Sequence, residues 1–259
     1  MCLILFAYRT HPRYELVLAA NRDEFYARPT LPMAFWEDAP DLLAGRDLEA
    51  GGTWLGVTRQ GRFAAITNYR DPANMRPKAP SRGALVSDYL RGDAAAWDYL
   101  VCLAPHAADY NGFNLLLGDA EGLFYYSNQQ GTPRALVPVL YGLSNHLLDT
   151  PWPKVERGRR GLAALLKADP EPSGDALLEL LANRAWATDA ELPNTGVSRE
   201  WERALSPLFI ETPGYGTRSS TVLRIAAEGE MRVLEKTWPE GGIREFRLRR
   251  PATHLRRNV

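Results

Sequence analysis

Three short segments of this chain are apolar at nearly every position: residues 3–7 (LILFA), 16–20 (LVLAA) and 113–117 (FNLLL). A strand with one face in water alternates apolar and polar side chains, so an unbroken apolar run indicates a strand that is covered on both faces. The sheets that these strands form must therefore lie between other layers of the molecule.

Turn-forming residues divide the strand-like segments into hairpins. The first hairpin is predicted to pair residues 2–9 with 14–21 about Thr10-His11-Pro12-Arg13, where the proline fixes φ. The same pattern of two strands about a short polar turn predicts three more hairpins, namely 54–59 with 62–69, 113–117 with 123–127, and 221–226 with 231–238. Residues 136–143 are predicted to add another strand.

Helical periodicity falls between these hairpins. It covers residues 83–91, 94–103 and 158–168, and leucine or aromatic stripes recur at 177–181 and 201–209, whereas the proline-rich segment 71–80 is predicted to be an exposed loop. Hairpins combined with amphipathic helices predict an α+β fold, a four-layer αββα sandwich of two antiparallel sheets between helices. A two-layer α+β fold satisfies the same pattern. We expect a single domain over residues 1–259, with a basic tail from about residue 249.

Composition excludes several classes of protein. Lysine plus arginine and aspartate plus glutamate number 31 each, so no net charge favours nucleic acid, and the arginine-rich tail is expected to be solvated. No apolar run approaches the ~20 residues of a membrane span, and residues 3–7 are too short for a secretory signal, which predicts a cytoplasmic protein without an integral membrane segment. The two cysteines, Cys2 and Cys102, form neither a disulfide framework nor a metal motif, so no metal is expected.

The first hairpin brings a polar run close to Cys2. If its loop has four residues, Cys2 lies opposite Asn21, and strand alternation places Asn21 and Asp23 on the same face as Cys2 and Arg22 on the other. A shift of one residue in the register would reverse those faces. In either register the polar run lies within a side chain's length of the chain start.

Cys2 directly follows the initiator methionine, and excision of Met1 would expose an α-amine on the same residue as the thiol. The amine has an ordinary pKa of ~8 and the thiol of ~8.5, so one residue could supply both nucleophile and base near neutral pH. Attack on an amide or thioester carbonyl would give an oxyanion and then an acyl-cysteine. Asp23 is suited to hold the amine. The alternative is an inert cysteine buried in a strand.

Seven motifs, in this order along the chain, resemble the NRDE family. They are Cys2 itself, Ala20-Asn21-Arg22-Asp23-Glu24, Ala44-Gly45-Arg46-Asp47, Gly51-Gly52-Thr53-Trp54-Leu55-Gly56, Thr67-Asn68-Tyr69-Arg70, Gly142-Leu143-Ser144-Asn145 and Gly216-Thr217-Arg218-Ser219-Ser220-Thr221. The resemblance runs from residue 2 to about residue 225. It implies a branch of the N-terminal-nucleophile (Ntn) hydrolases, which share the αββα fold and include the choloylglycine hydrolase and penicillin acylase group.

Carried over motif by motif, the resemblance implies a catalytic set. Cys2 would be nucleophile and base, and Asp23 would hold the amine. Asn68 and Asn145 would donate to the oxyanion, although each could equally cap a strand or form a turn. Arg218 would lie beside the nucleophile and tune its charge, or serve as a salt-bridge partner.

A second group of residues is expected to bind substrate: Asn21, Arg22, Arg46, Trp54 and His146. Arg22 is directly adjacent to Asp23, whereas the hydrolase group separates its arginine and aspartate. Arg46 is either a site wall or a surface partner of Asp47, and Trp54 either packs against a neighbour or roofs a pocket. His146 is either a haem ligand or proton relay, or a loop histidine facing solvent.

Three functions are consistent with these residues. The first is a hydrolase of an acyl amide or thioester that requires no cofactor. The second is a non-catalytic protein that binds and traffics haem, acyl-coenzyme A or lipid on the same fold, as the family resemblance also implies. The third is an interaction module without small-molecule chemistry.

Overall fold

Two seven-stranded antiparallel sheets form the centre of the computed structural model, which describes residues 2–239 and 241–251. The first sheet contains β1 (Cys2–Tyr8), β2 (Tyr14–Phe25), β10 (Leu140–Leu143), β11 (Glu211–Thr212), β12 (Tyr215–Ala226), β13 (Glu230–Thr237) and β14 (Ile243–Arg249). Its order is β10-β1-β2-β12-β13-β14, and β11 pairs with β12. The second sheet contains, in this order, β3 (Thr30–Trp36), β4 (Ala39–Asp47), β5 (Leu55–Thr58), β6 (Phe63–Asn68), β7 (Phe113–Gly118), β8 (Leu123–Ser127) and β9 (Arg134–Ala135).

The helices cover the outer faces of the two sheets. They are α1 (Arg82–Arg91), α2 (Ala96–Leu103), α3 (Pro153–Ala168), α4 (Gly174–Leu181) and α5 (Arg199–Ala204). Phe6 and Leu18 pack between the sheets, and Leu5 on the opposite face of β1 packs in the cluster that contains Leu162 of α3. A third cluster joins the second sheet to α1 and α2. The four-layer αββα prediction is confirmed and the two-layer alternative is wrong, because β1 buries both of its faces.

The four predicted hairpins are confirmed as the pairs β1–β2, β5–β6, β7–β8 and β12–β13. The hairpin of β3 and β4 and the final strand β14 were not predicted, since β3 alternates irregularly and its pairing with β4 contains two register shifts. The strand expected over 136–143 begins only at Leu140. The segment 201–209 is helical only as far as Ala204.

The register of the first hairpin differs by one residue from the expected pairing. Cys2 pairs with Arg22 and Leu3 with Asn21. Arg9 adopts a positive φ of 50°, and its N–H donates to the Glu15 carbonyl at 2.8 Å, which adds a residue to the turn. Cys2 and Arg22 therefore share the face that looks toward the second sheet, and Asn21 and Asp23 face the helices. The register that places Asn21 and Asp23 on the face of Cys2 is wrong, and the alternative left open, a shift of one residue that reverses the faces, is confirmed.

Helix α3 starts five residues earlier than the periodicity predicts. Pro153 occupies its first turn, where the missing N–H costs no hydrogen bond. At the chain's other end, Arg249 closes β14, and Arg250 forms an ion pair with Glu15 at 2.7 Å, so the start of the predicted basic tail is docked on the fold. Met1 and the tail residues 252–259 lie outside the described residues. Within the described ranges, no helix combines the length and the apolar character needed to cross a bilayer.

Candidate active site around Cys2

A cavity of about 350 Å³ opens beside Cys2, at the polar end of the β1–β2 pair. Its wall also contains Arg22, Asp23, Trp54 and Asn68, all of which the sequence motifs singled out. The rest of the lining comes mainly from the turn before β3, the β4–β5 connection and the segment leading into α1. Cys2 is partly exposed, in contrast to the buried residues that follow it in β1.

Two glycines of the predicted motifs allow the close packing that builds this wall. A Cβ on Gly45 would lie 2.2 Å from the Trp54 ring, so only a glycine admits the indole there. A Cβ on Gly52 would lie 2.5 Å from the Gly83 carbonyl carbon, and the neighbouring Thr53 N–H donates to the Gly83 oxygen at 3.2 Å. The glycine motif therefore fixes the β4–β5 connection against the start of α1.

Arg22 directly precedes the buried Asp23 in the sequence and lies on the same sheet face as Cys2. Its guanidinium stacks on Trp54, with Cζ 4.1 Å from the ring centroid, and donates to Thr30 Oγ1 at 3.2 Å. Asp47 Oδ2 lies 3.6 Å from Arg22 Nη2. Burial lowers the pKa of Arg22, whereas Cys2 and nearby carboxylates raise it. These contacts hold a cation beside the sulfur.

The environment of Cys2 disfavours the thiolate form. Burial raises its pKa, and the negative charge of Asp23 raises it further, while Arg22 and the backbone N–H of Asp23 act in the opposite direction. A thiol whose pKa is raised supplies little thiolate at neutral pH. Attack by this sulfur on a carbonyl therefore requires a base next to it.

Asp23 lies on the helix-facing side of β2 and is 1% exposed. Its Oδ1 accepts a hydrogen bond from Thr217 Oγ1 at 2.8 Å, and its backbone carbonyl accepts one from the Tyr215 hydroxyl at 3.2 Å. Burial raises the pKa of this carboxyl, and the positive charge of Lys154 lowers it. The carboxylate is thus held in a fixed orientation behind the strand that carries Cys2.

Lys154 belongs to this cluster and was missed by the sequence reasoning. It lies in the first turn of α3, is 1% exposed, and its Nζ has no hydrogen-bond partner in the part of the chain that the structure describes. Burial lowers its pKa to about 8, and Asp23 acts against that shift. A lysine at a helix N-terminus normally reaches into solvent, so nothing in the sequence Trp152-Pro153-Lys154 indicated a buried amine.

The two asparagines predicted as oxyanion donors differ in their freedom to donate. Asn68 ends β6, lines the cavity, and its side-chain amide forms no hydrogen bond with another described residue. Asn145 is fully buried, and its Nδ2 donates to the Asn68 carbonyl at 2.9 Å. Ser144 donates to the Cys2 carbonyl at 3.0 Å, so this segment ties the end of β6 to the start of β1. The oxyanion roles stay predictions.

Asn21 and Arg46 do not lie on the cavity wall. The Asn21 amide donates to the carbonyls of Leu181 and Leu208 and accepts from Ser220, which joins the first sheet to its helical layer. Arg46 forms a bidentate ion pair with Asp38, at 2.8 and 3.0 Å, and not with Asp47, the surface partner that was one of its two predicted alternatives. Asp47 instead pairs with Arg28 in the cavity wall.

Arg218 and His146 also lie off the wall. A register shift of β12 falls at Arg218, whose Nη1 donates to three carbonyls of residues 25–28. His146 has its ring nitrogens within hydrogen-bond distance of the Tyr69 hydroxyl, at 2.9 Å, and of Thr150 Oγ1, at 2.8 Å. The predicted roles of Arg218 beside the nucleophile and of His146 as a haem ligand or proton relay remain predictions.

The fold and this site define an αββα protein with a polar cavity at a cysteine in the second position. The chain belongs to the Transport and Golgi organisation 2 family, whose family model matches residues 1–240, and this confirms the resemblance carried by the motifs. The Transport and Golgi organization protein 2 homologues of Bos taurus and Homo sapiens are 35% and 34% identical, each over 96% of this chain and over 99% and 97% of their own lengths. The Drosophila melanogaster protein is 33% identical over 92% of each chain.

Two solved structures with little sequence identity are similar to this one. A Caenorhabditis elegans N-acylethanolamine-hydrolyzing acid amidase ortholog has a TM-score of 0.46 and 11% identity, over 86% of this chain and 92% of its own. A C2A mutant of the conjugated bile acid hydrolase from Clostridium perfringens has a TM-score of 0.46 and 10% identity, over 95% and 92%.

Proposed function

We propose that the protein is an Ntn-type hydrolase that cleaves an acyl amide or thioester with Cys2 after removal of Met1. The observation that carries this proposal is the position of Cys2 on the cavity wall, with Arg22 opposite it in the strand pair and the buried Asp23 next along β2. A cysteine that only filled space in a strand would be expected to be buried among apolar side chains and not to border a cavity lined by these charges. Met1 lies outside the described residues, so its removal is part of the proposal.

The reaction needs no cofactor. The freed α-amine takes the proton from the Cys2 thiol, and the sulfur attacks the carbonyl carbon to form a C–S bond and a tetrahedral oxyanion. The side-chain amide of Asn68, which has no hydrogen-bond partner among the described residues, donates a hydrogen bond to that oxyanion. When the oxyanion collapses, the bond to the leaving nitrogen or sulfur breaks and the leaving group takes the proton from the amine. Water then hydrolyses the acyl-cysteine and restores the thiol.

The charges around Cys2 support this division of roles. Because burial and Asp23 raise the pKa of the thiol, a base must act before attack, and an α-amine with an ordinary pKa of ~8 is suited to do so near neutral pH. Asp23 is anchored by Thr217 and is the carboxylate available to orient an ammonium at residue 2. Arg22 stabilises the thiolate that forms.

The alternative is a non-catalytic protein that binds and carries haem, acyl-coenzyme A or lipid. The observed contacts favour the hydrolase, because His146 would have to give up the hydrogen bond to Tyr69 or Thr150 to bind iron. A titration with haem separates the two functions. A shift of the haem absorption band that is lost in His146→Ala supports the carrier.

Intact-mass analysis before and after incubation with a panel of acyl amides and thioesters tests the hydrolase. We expect a mass without Met1 and a transient acyl adduct located on Cys2. Cys102→Ala should retain the adduct and Cys2→Ala should lose it. Turnover by a protein that retains Met1, or by Cys2→Ala, would refute the proposal.

A further inference from the structure

Charged side chains dominate the lining of the Cys2 cavity. Seven charged residues line it, namely Arg22, Asp23, Glu24, Arg28, Asp47, Glu49 and Arg82, of which Asp23 keeps its side chain buried. The apolar residues of the lining are Trp54 and Ile66, together with alanines 50 and 79 and prolines 77 and 80. A long hydrocarbon chain placed here would strip water from these charges without replacing their hydrogen bonds, which is costly. The lining therefore favours a short and polar substrate.

Most of these charges already have partners of opposite sign in the wall. Arg28 lies 2.6 Å from Asp47 and 3.3 Å from Glu49, and Arg22 lies 3.6 Å from Asp47. Arg82 forms no ion pair with any residue in the described ranges, and its single described side-chain hydrogen bond runs from Nη1 to the Gly112 carbonyl at 3.0 Å. Among the arginines of the wall, Arg82 is the one without an ion pair to a described residue, and the carboxylate that acts on it most strongly is Glu24, which also lines the cavity.

The position of Arg82 suits the binding of an anion. Burial lowers the pKa of Arg82, while Glu24 and Cys2 raise it, and arginine stays protonated under such conditions. The bond to Gly112 fixes one nitrogen and leaves the remaining N–H groups of the planar fork, which match the two oxygens of a carboxylate. Arg82 is also the first residue of α1, so the positive end of that helix adds to its field.

We propose that Arg82 binds a carboxylate carried by the acyl group that Cys2 attacks, so that the substrate is a monoamide or monothioester of a short dicarboxylic acid. The inference rests on the proposed function for the attack, but the anion site itself exists without turnover. The cavity of about 350 Å³ has room for an acyl group of this size and polarity.

Alkylation tests the anion site without any substrate. Iodoacetate and iodoacetamide react with the same thiolate. The ratio of the iodoacetate rate to the iodoacetamide rate at Cys2 therefore does not depend on the pKa of the thiol and reports how strongly the site attracts an anion. We expect this ratio to exceed the ratio at the exposed Cys102 of the same chain, and to fall about tenfold in Arg82→Met, the effect of losing one charge-assisted contact. Arg82→Lys should retain part of it.

Arg91→Met is the matched control, because Arg91 lies on the same helix but pairs with Asp38 away from the cavity. It should leave the ratio at Cys2 unchanged, and near-ultraviolet circular dichroism should show that Arg82→Met is folded. An unchanged ratio in folded Arg82→Met would overturn the anion site.

Hydrolysis of matched anilides tests the substrate class. Glutaryl p-nitroanilide and pentanoyl p-nitroanilide have the same chain length and differ in the terminal carboxylate. We expect kcat/KM to favour the glutaryl compound at least tenfold, and Arg82→Met to abolish that preference. Equal cleavage of both by the wild-type protein overturns the inference and leaves the hydrolase standing. Absence of any cleavage or adduct, with the alkylation ratio lowered in Arg82→Met, refutes the hydrolase and supports the anion site.

Discussion

Cys2 and Arg22 are directly paired across the first two strands and face the same cavity, while Asp23, one residue further along, points into the helical layer. Because successive residues of a strand point to opposite faces, the two charges that act on the sulfur lie on opposite sides of β2. Arg22 lies on the sheet face of the thiol, and the buried side chain of Asp23 lies on the helix-facing side near Lys154. The adjacency of arginine and aspartate in the motif thus places one charge on each face of the strand.

Arg22→Met is expected to slow alkylation of Cys2 at neutral pH. The substitution removes the side-chain cation that lowers the pKa of the thiol, so the pKa rises further and the thiolate fraction falls. The measurement is the pH dependence of the iodoacetamide rate at Cys2, with Cys102 as internal reference. Arg46→Met is a suitable control, because Arg46 also stacks on a tryptophan but lies off the cavity. A profile that is identical in Arg22→Met and wild type would show that Arg22 does not act on the sulfur.

Lys154→Met is expected to change how the stability of the protein depends on pH. The buried amine of Lys154 has a pKa lowered to about 8. Folding at neutral pH therefore buries a positive charge that has no hydrogen-bond partner among the described residues. Because the folded pKa lies below the unfolded value of ~10.4, wild type gains stability as pH rises from about 8 to 10.4, by about 3 kcal/mol. The free energy of unfolding of wild type, taken relative to that of Lys154→Met, should therefore rise over that range.

Urea denaturation at pH 7 and pH 10 measures this difference. Lys167→Met, in the last turn of the same helix and exposed, should show no such dependence. The same Lys154 variant should lower any hydrolase activity, because Lys154 favours the charged form of Asp23. A constant stability difference across the two pH values would mean that Lys154 does not titrate in the fold.

The layer order could be predicted from the sequence because it depends on one physical requirement. Strands such as β1, apolar at successive positions, must be covered on both faces, and leucine stripes supply the covering helices. The exact register could not be predicted, since it depends on the backbone of Arg9, a non-glycine residue with positive φ. The β3–β4 hairpin was missed because its burial pattern is irregular and Pro32 interrupts it.

The candidate site was predicted only where a motif marked it. Cys2, Arg22, Asp23, Trp54 and Asn68 do line one cavity. Arg82 and Lys154 approach these residues from distant parts of the chain. The sequence around them did not predict this, because an arginine or lysine at the start of a helix normally points into solvent. Three-dimensional packing alone places the start of α1 and the start of α3 beside the first two strands.

Gly45→Ala is expected to destabilise the protein and to disturb Arg22. The new Cβ would lie 2.2 Å from the Trp54 ring, so the indole must move off its stacking position over the guanidinium. Overpacking of this kind costs about 1–3 kcal/mol. Thermal unfolding measures the loss, and the iodoacetamide rate at Cys2 reports the change at the site. Gly242→Ala, where a Cβ meets open space, is the control. Stability unchanged in Gly45→Ala would show that Trp54 can move at no cost.

Glu235→Gln is expected to stabilise the protein at neutral pH and to have little effect near pH 4. Glu235 is fully buried on β13, and its Oε1 accepts a hydrogen bond from the Met33 N–H of the other sheet at 2.6 Å, while Oε2 has no hydrogen-bond partner within the described ranges. Burial raises the pKa of this carboxyl.

A raised pKa means that the stability contributed by this group is fully present below the unfolded value of ~4.3 and is lost as pH rises through the folded value. Glutamine keeps the acceptor for Met33 and removes the titration, so the free energy of unfolding of the variant should exceed that of wild type increasingly from pH 4 to pH 7. Urea denaturation across this range provides the measurement, and Glu230→Gln, at a partly exposed position of the same strand that pairs with Arg232, provides the comparison. A parallel pH dependence in Glu235→Gln and wild type would contradict the buried titration, and would mean that the contact between the sheets is made by a carboxylate that stays charged.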